Sequence, residues 1–352
     1  MSHEIFGERI ALRNAPAWHG LGKVFTEALS ASEALKLADC DYDVAKVPLF
    51  VTYPPGETDP AKIKVLDTKH VGLVRLPTAD SPEGVVLGVA SHDYELVQNR
   101  EIARMLDPLT NEWPVETLGA LKSGGILFAT LDMGEFSVAG DKCRQYLLLS
   151  NGHDGTRSLT GYLTGVRVVC WNTLVMSEGQ NAMAFRLRHV GGVKREAEFY
   201  INLIAGVRSA AKQAQGQLAR LGEAKVTTEQ AQQVIAAAYP VPPEPEAQKR
   251  LQAMAQNLSA SQVASVLART EELRARRAAD IERATTLQTA GLELFEKFNA
   301  EHPDLAHTAW AAYNAVTELA TWREGPNADA AVLFGNRWQE MSRGLAAALT
   351  LA

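Results

Sequence analysis

The sequence predicts an α+β fold: a curved, mostly antiparallel sheet in the N-terminal half and a helical C-terminal half. Three observations carry this. Short β-branched and aromatic runs recur between residues 44 and 188, the pattern of half-buried strands. Near residue 200 the apolar spacing changes to a helical period, in segments rich in Ala, Gln, Leu and Arg. Pro240-Val-Pro-Pro-Glu-Pro245 then forms a stiff, extended spacer. The expected organisation is a strand-rich α+β domain over 1–200, connecting helices over 201–239, a Pro-rich linker over 240–246 and a helical region over 247–352.

The first helix is announced by Ser30-Ala-Ser-Glu33, a capping box in which hydroxyl and carboxylate satisfy free amide donors. Strands are expected over 44–53, with Pro48 marking an edge, and over 62–66, 71–76, 85–89, 126–133, 145–150, 159–169 and 184–188. Pro54-Pro-Gly56 and Gly84 mark turns. A short helix is expected over 98–106. Later helices are expected over 197–221, from a cap at Thr227 or Thr228 to Ala238, over 261–299 ending at His302-Pro303, and over 305–323 and 338–349.

Hydrophobic residues make up 46% and charged residues 22% of the chain, which excludes global disorder. No run approaches the roughly 18 apolar residues of a membrane span, and no basic region followed by an apolar one opens the chain, so neither a membrane partner nor a secretory signal is expected. Cys40, Cys143 and Cys170 are odd in number and form no CxxC pair, which argues against a disulfide framework and a cysteine-rich zinc site. A cytoplasmic location follows. The net charge of −6 is unevenly spread: residues 1–150 carry 14 basic against 21 acidic side chains, whereas 155–225 carry 10 against 4, a net of +6. An acidic chain argues against a duplex-coating protein, but a local basic groove is compatible with it.

Five clusters hold polar residues in apolar surroundings. In Ala17-Trp-His-Gly-Leu-Gly22, Trp18 and His19 suit stacking on a base, or packing in a turn anchored by Gly20 and Gly22. In Tyr94-Glu-Leu-Val-Gln-Asn-Arg-Glu101, Gln98 and Asn99 stand at a strand-to-helix passage, where Asn99 reads as an N-cap. In Ser150-Asn-Gly-His-Asp-Gly-Thr156, Asp154-Gly155 signals a hairpin. The alternative there is a metal or proton-transfer role for His153 and Asp154, but a metal needs further convergent ligands. In Thr164-Gly-Val-Arg-Val-Val-Cys-Trp-Asn-Thr-Leu174, Arg167 interrupts a β-branched strand near Trp171, and Cys170 reads as a small buried hydrophobe. Trp310, Tyr313, Asn314, Thr317 and Glu318 share one helical face. That stripe is expected to be a packing face whose polar members form a docking surface and contribute to self-association. No P-loop, GxGxxG after a strand, HExxH or GxSxG is present.

Taken in order, Trp18-His-Gly-Leu-Gly22, the Gln98-Asn-Arg-Glu101 core, His153-Asp-Gly155, Arg167-Val-Val-Cys170 with Asn172-Thr-Leu174, and Trp310 to Glu318 resemble a bacterial family of phage/plasmid-like proteins, a domain of unknown function found in prophages and mobile elements. Trp171 stands where a polar residue is more usual in that family. The order of strands before helices also resembles, more loosely, single-strand annealing proteins of the Rad52-like type. The first resemblance implies no established activity. The second implies an ATP-independent protein that binds or anneals single-stranded DNA as a homo-oligomer, in the form of a ring, without cofactors or catalytic residues. On that expectation Arg157, Arg167, Arg186, Arg188, Lys194 and Arg195 neutralise phosphates, while Tyr162 or Trp171 stacks on bases. The alternatives are an antidefence or scaffold protein acting through protein contacts, and a metal-dependent enzyme using His153, Asp154 and His189.

Overall fold

The computed structural model describes residues 5–14, 22–56, 58–153, 159–167, 173–176, 183–187, 197–243, 260–324, 332 and 335–352. The chain forms two compact units, Met1–Gly216 with Glu324–Leu333, and Gln217–Arg323 with Phe334–Ala352.

The first unit is α+β, as the strand runs predict. Strands β1 (Ile5–Arg13), β2 (Lys23–Phe25), β6 (Val115–Leu121), β7 (Ile126–Val138), β8 (Asp141–Gly152), β9 (Leu159–Arg167), β10 (Thr173–Val175) and β11 (Met183–Leu187) form an eight-stranded sheet. Its order is β10-β9-β8-β7-β6-β1-β2, with β11 also pairing β9. All pairings are antiparallel except β1 with β2. Gly22 leads into β2 at φ 86°, and a Cβ there would lie 2.3 Å from the Ile10 carbonyl oxygen. This end of the Trp18–Gly22 motif therefore requires glycine for both its dihedral and its close approach to β1. Trp18 and His19 themselves lie outside the described residues.

The expected single sheet is in fact accompanied by a second one. Strands β3 (Val44–Tyr53), β4 (Lys64–Arg75) and β5 (Val85–Ser91) form a three-stranded antiparallel sheet. The runs at 62–66 and 71–76 join into one strand, β4, which pairs β3 from Arg75 to Lys64 across an irregularity between Pro48 and Phe50. Only its second half, from His70 on, also pairs β5. The far half of β3–β4 is thus a two-stranded arm. Helices α1 (Ala31–Leu37) and α2 (Asn99–Thr110) pack on each other, and α1 packs on β1 and β6. The Ser30–Glu33 capping box forms as the sequence predicts.

Helix α3 (Ala197–Glu223) runs from the first unit into the second. The second unit contains α4 (Thr228–Ala238), α5 (Ala260–Glu301), α6 (Ala309–Trp322) and α7 (Asn336–Leu349). Thr227 caps α4 through a complete capping box. His302-Pro303 ends α5, and a 3₁₀ turn, Pro303–Leu305, follows. Helix α6 is the core: Trp310, Tyr313, Asn314 and Thr317 are all fully buried among α4, α5 and α7. Among the described residues no helix is long and apolar enough to cross a membrane.

Candidate functional site

Gln98 and Asn99 begin α2 in a way the sequence does not reveal. Gln98, not Asn99, is the N-cap residue. Its amide reaches Val44 at the start of β3, donating to that carbonyl at 2.8 Å and accepting from that amide at 3.0 Å. The Glu101 carboxylate accepts from the Gln98 backbone N–H at 2.7 Å, the return half of a capping box. Asn99 is therefore released from capping and turns inward. Its Nδ2 donates to the Cys40 carbonyl at 2.8 Å, which leaves Oδ1 to accept from His153 Nε2 at 2.6 Å. With Asn99 Oδ1 as the acceptor, His153 carries a proton on Nε2.

His153 follows the end of β8, and its backbone N–H donates to the Gly125 carbonyl at 2.8 Å. Asn99 is 0% and His153 1% exposed. Tyr42 donates to the Gly124 carbonyl at 2.8 Å. Two blocks far apart in sequence thus meet in one buried polar cluster built on Cys40, Tyr42, Asn99 and His153. Burial pushes the Cys40 thiol and the Tyr42 hydroxyl far above their ordinary values. Both stay protonated at neutral pH, so Cys40 is not a thiolate nucleophile. The cluster ties the start of α2 to the segment between α1 and β3 and to the end of β8 through directed hydrogen bonds, and Gln98 adds the tie to β3. Asp154, whose expected role was tied to His153, lies outside the described residues. Among the described residues no group of three or more His, Cys, Asp or Glu side chains is placed to hold a metal.

A second polar group crosses the large sheet. Register pairs Asp132 with Tyr146, and Tyr146 with Thr164. Arg13 Nη1 lies 3.8 Å and Arg144 Nε 3.5 Å from the Asp132 carboxylate. Glu116, on β6 between Arg13 and Asp132, is held above the ordinary carboxylate range by burial and by Asp132, against the opposing pull of Arg13 and Arg144. Sequence reasoning missed Arg13 and Arg144. The signal was the one that flagged Arg167, an arginine ending or interrupting an apolar strand.

The raised Glu116 value sets a sign. Below the ordinary carboxylate value of about 4.3 the group is neutral folded and unfolded and costs nothing. As pH rises from there through the higher folded value, ionisation costs more in the folded chain, so stability is lost. Glu116→Gln is expected to raise the melting temperature at pH 7 and leave it unchanged near pH 3.5. A thermal melt of both proteins at the two pH values checks this, and equal shifts at both would refute it.

On the outer edge of the same sheet, β11 pairs β9 with Arg186 opposite Thr160. Thr160 and Tyr162 alternate onto one face, and Tyr162 is in register with Leu148, which shares its parity with Tyr146 and Arg144. Arg186 is exposed and Tyr162 half-buried. The backbone of Arg167 is paired with Cys143 at the end of β9. Arg157, Trp171, Arg188, Lys194, Arg195, Cys170 and Asn172 lie outside the described residues. The stripe on α6 is a packing face, as its spacing predicts: Trp310, Tyr313, Asn314 and Thr317 are buried. The expectation for its polar members is corrected, since Asn314 and Thr317 face the interior of the unit and Glu318 pairs with Lys297 at 2.9 Å.

No curated protein and no solved structure matches the chain. A family model does, over residues 86–330, which contain Asn99, His153, Arg186 and the α6 helix but not the β3–β4 arm. That match covers well over half of the sequence, and the chain belongs to the family described as Domain of unknown function (DUF932).

Proposed function

We propose that the protein is an ATP-independent single-stranded DNA-binding or annealing protein of a phage or mobile element, with the β9–β11 edge of the large sheet as part of its binding surface. The observation that carries this reading is the placement of exposed Arg186 and half-buried Tyr162 on one sheet face, within a stretch of net +6 in an acidic chain. An arginine beside an aromatic on a sheet suits a phosphate backbone and a stacked base. Arg13 and Arg144 are already committed to Asp132 and do not count as phosphate ligands. The strand path follows the β9–β11 edge.

Each phosphate neutralised on a single strand contributes about −0.7 to the log–log salt slope. Four to six contacts give a slope of roughly −3 to −4. Reversing Arg186 and Arg188 to glutamate is expected to weaken binding by at least tenfold and to flatten the slope by one unit or more. The measurement is fluorescence anisotropy of a labelled oligonucleotide across a salt series. No binding by the wild type at low salt, or no change on reversal, refutes the reading.

A second reading, a protein acting through protein contacts, has its own observation. Phe50, Val51, Tyr53, Val65 and Leu66 are all about half or more exposed on the β3–β4 arm. Apolar side chains clustered on a two-stranded ribbon are characteristic of interaction surfaces. Failure of the DNA experiment leaves this reading in place.

A further inference from the structure

Arg9 on β1 and Arg75 at the end of β4 are 5% and 1% exposed, and both guanidinium carbons sit over the Phe6 ring, at 4.2 and 4.3 Å from its centroid. Buried arginines are ordinarily matched by carboxylates. Here two share one. Asp80 takes Arg9 in a two-pronged pair, with Nη1 to Oδ2 at 2.7 Å and Nη2 to Oδ1. Among the described residues Arg75 has only neutral partners, the Ser123 carbonyl at 3.0 Å and Ser81 Oγ at 2.9 Å, and its Nη1 is buried without a hydrogen-bond partner. One positive charge is left over.

Asp80 differs in kind from the arginines it serves. Its side chain is 62% exposed, and it sits in a short turn closed by the Thr78–Ser81 bridge. Thr78 Oγ1 donates to the Asp80 carboxylate at 2.9 Å and accepts from Arg9 Nη2 at 3.1 Å. Hydroxyls at 78 and 81 therefore stand on either side of the carboxylate in sequence, and both guanidiniums lie beneath the turn. Across from it Gly124 has φ 92°, and a Cβ there would fall 2.9 Å from Arg75 Cδ. Both the dihedral and the close approach require glycine, which lets the arginine lie flat under the turn.

We propose that this is an oxyanion site for a phosphate group, in which the Asp80 carboxylate is an internal stand-in for the ligand. A carboxylate balances one guanidinium, whereas a phosphate monoester, carrying about −1.5 to −2, balances both. Its three oxygens match the donors present: the Arg9 fork, the unused Arg75 Nη1, and the Thr78 and Ser81 hydroxyls. Asp80 is released to solvent on the 78–81 turn. The donors Arg9, Arg75, Thr78 and Ser81 lie before residue 86, outside the family match, while Ser123 and Gly124, which border Arg75, lie within it, and the site's existence does not depend on the β9–β11 surface binding DNA.

The test is thermal unfolding of the full chain in inorganic phosphate against chloride at equal ionic strength, with ³¹P line broadening as the binding readout. The wild type is expected to show weak, phosphate-specific stabilisation. Asp80→Asn removes the stand-in: its melting temperature falls in chloride, phosphate restores it, and phosphate affinity rises by about tenfold or more. Arg75→Gln removes the phosphate response. If Arg75→Gln does not fold, Asp80→Asn still decides the matter. Displacement of phosphate by the 5′-phosphorylated oligonucleotide and not by its 5′-hydroxyl counterpart identifies a strand end, and displacement by neither a free phosphate or small phosphate ester; both outcomes support the site. Displacement by the 5′-hydroxyl oligonucleotide as well shows that a singly charged diester suffices, which overturns the charge match. An Asp80→Asn protein whose melting is unchanged in chloride and no more responsive to phosphate than the wild type overturns it.

Discussion

Asn99→Ala is expected to cost about 3 kcal/mol of stability, because it removes the hydrogen-bond partner of two buried groups. The Cys40 carbonyl and the His153 Nε2–H both end on the Asn99 amide, at 2.8 and 2.6 Å, in a region excluded from water. A buried polar group left without its partner costs about 1–3 kcal/mol, far more than the net gain from making the bond. Urea unfolding should show a lower midpoint with an unchanged m-value. His153→Ala should cost a similar amount, and the double variant about 1–2 kcal/mol less than the sum, since both single changes break one shared bond. A loss below about 1 kcal/mol for Asn99→Ala, or strict additivity, would show that the pair does not lock α2 to β8.

That pair also marks where the sequence stops being readable. Asn99 has the residue type and position of an N-cap, and nothing local contradicts that reading. What contradicts it is Cys40 and His153, 59 and 54 positions away, brought in by sheet pairing. Helix signals fared better because they are local: the boxes at Ser30 and Thr227 and the stop at Pro303 act within one turn. Two strands gave no usable alternation. Ile10, Ala11 and Leu12 in β1 are buried in succession, as are Leu118 to Leu121 in β6. A strand covered on both faces loses the period of two that identifies it. In β4 the opposite happened. Asp67-Thr-Lys-His70 reads as a break, yet the strand continues through it because the arm is solvated on both sides and tolerates charge there. The basic residues of the middle segment were legible as charge alone. Charge counts do not report pairing, and the register of Arg186 opposite Thr160 comes only from the fold.

The α6 helix presents the same problem in a helical period, and it sets the largest effect expected here. Trp310, Tyr313, Asn314 and Thr317 fall on one face, and a single apolar stripe is compatible with either a core or a docking surface. The fold resolves this because the helix is buried on every side: Ala309 through Thr317 are all inaccessible. Trp310 packs against Tyr313, with ring centroids 6.2 Å apart at 54°, and its carbonyl accepts from Asn314 Nδ2 at 3.0 Å. Trp310→Ala should therefore leave a cavity in the helical unit and cost about 3–5 kcal/mol, whereas Trp310→Phe, which keeps much of the volume, should cost considerably less. The chain has two units, so a single unfolding midpoint need not report on the right one. Hydrogen exchange resolved by segment is the appropriate measurement. Protection is expected to fall across α4, α6 and α7, with the large sheet unaffected. If Trp310→Ala instead leaves exchange in those helices unchanged, the side chain is not in the core, and the packing face that the sequence predicts for α6 is refuted with it.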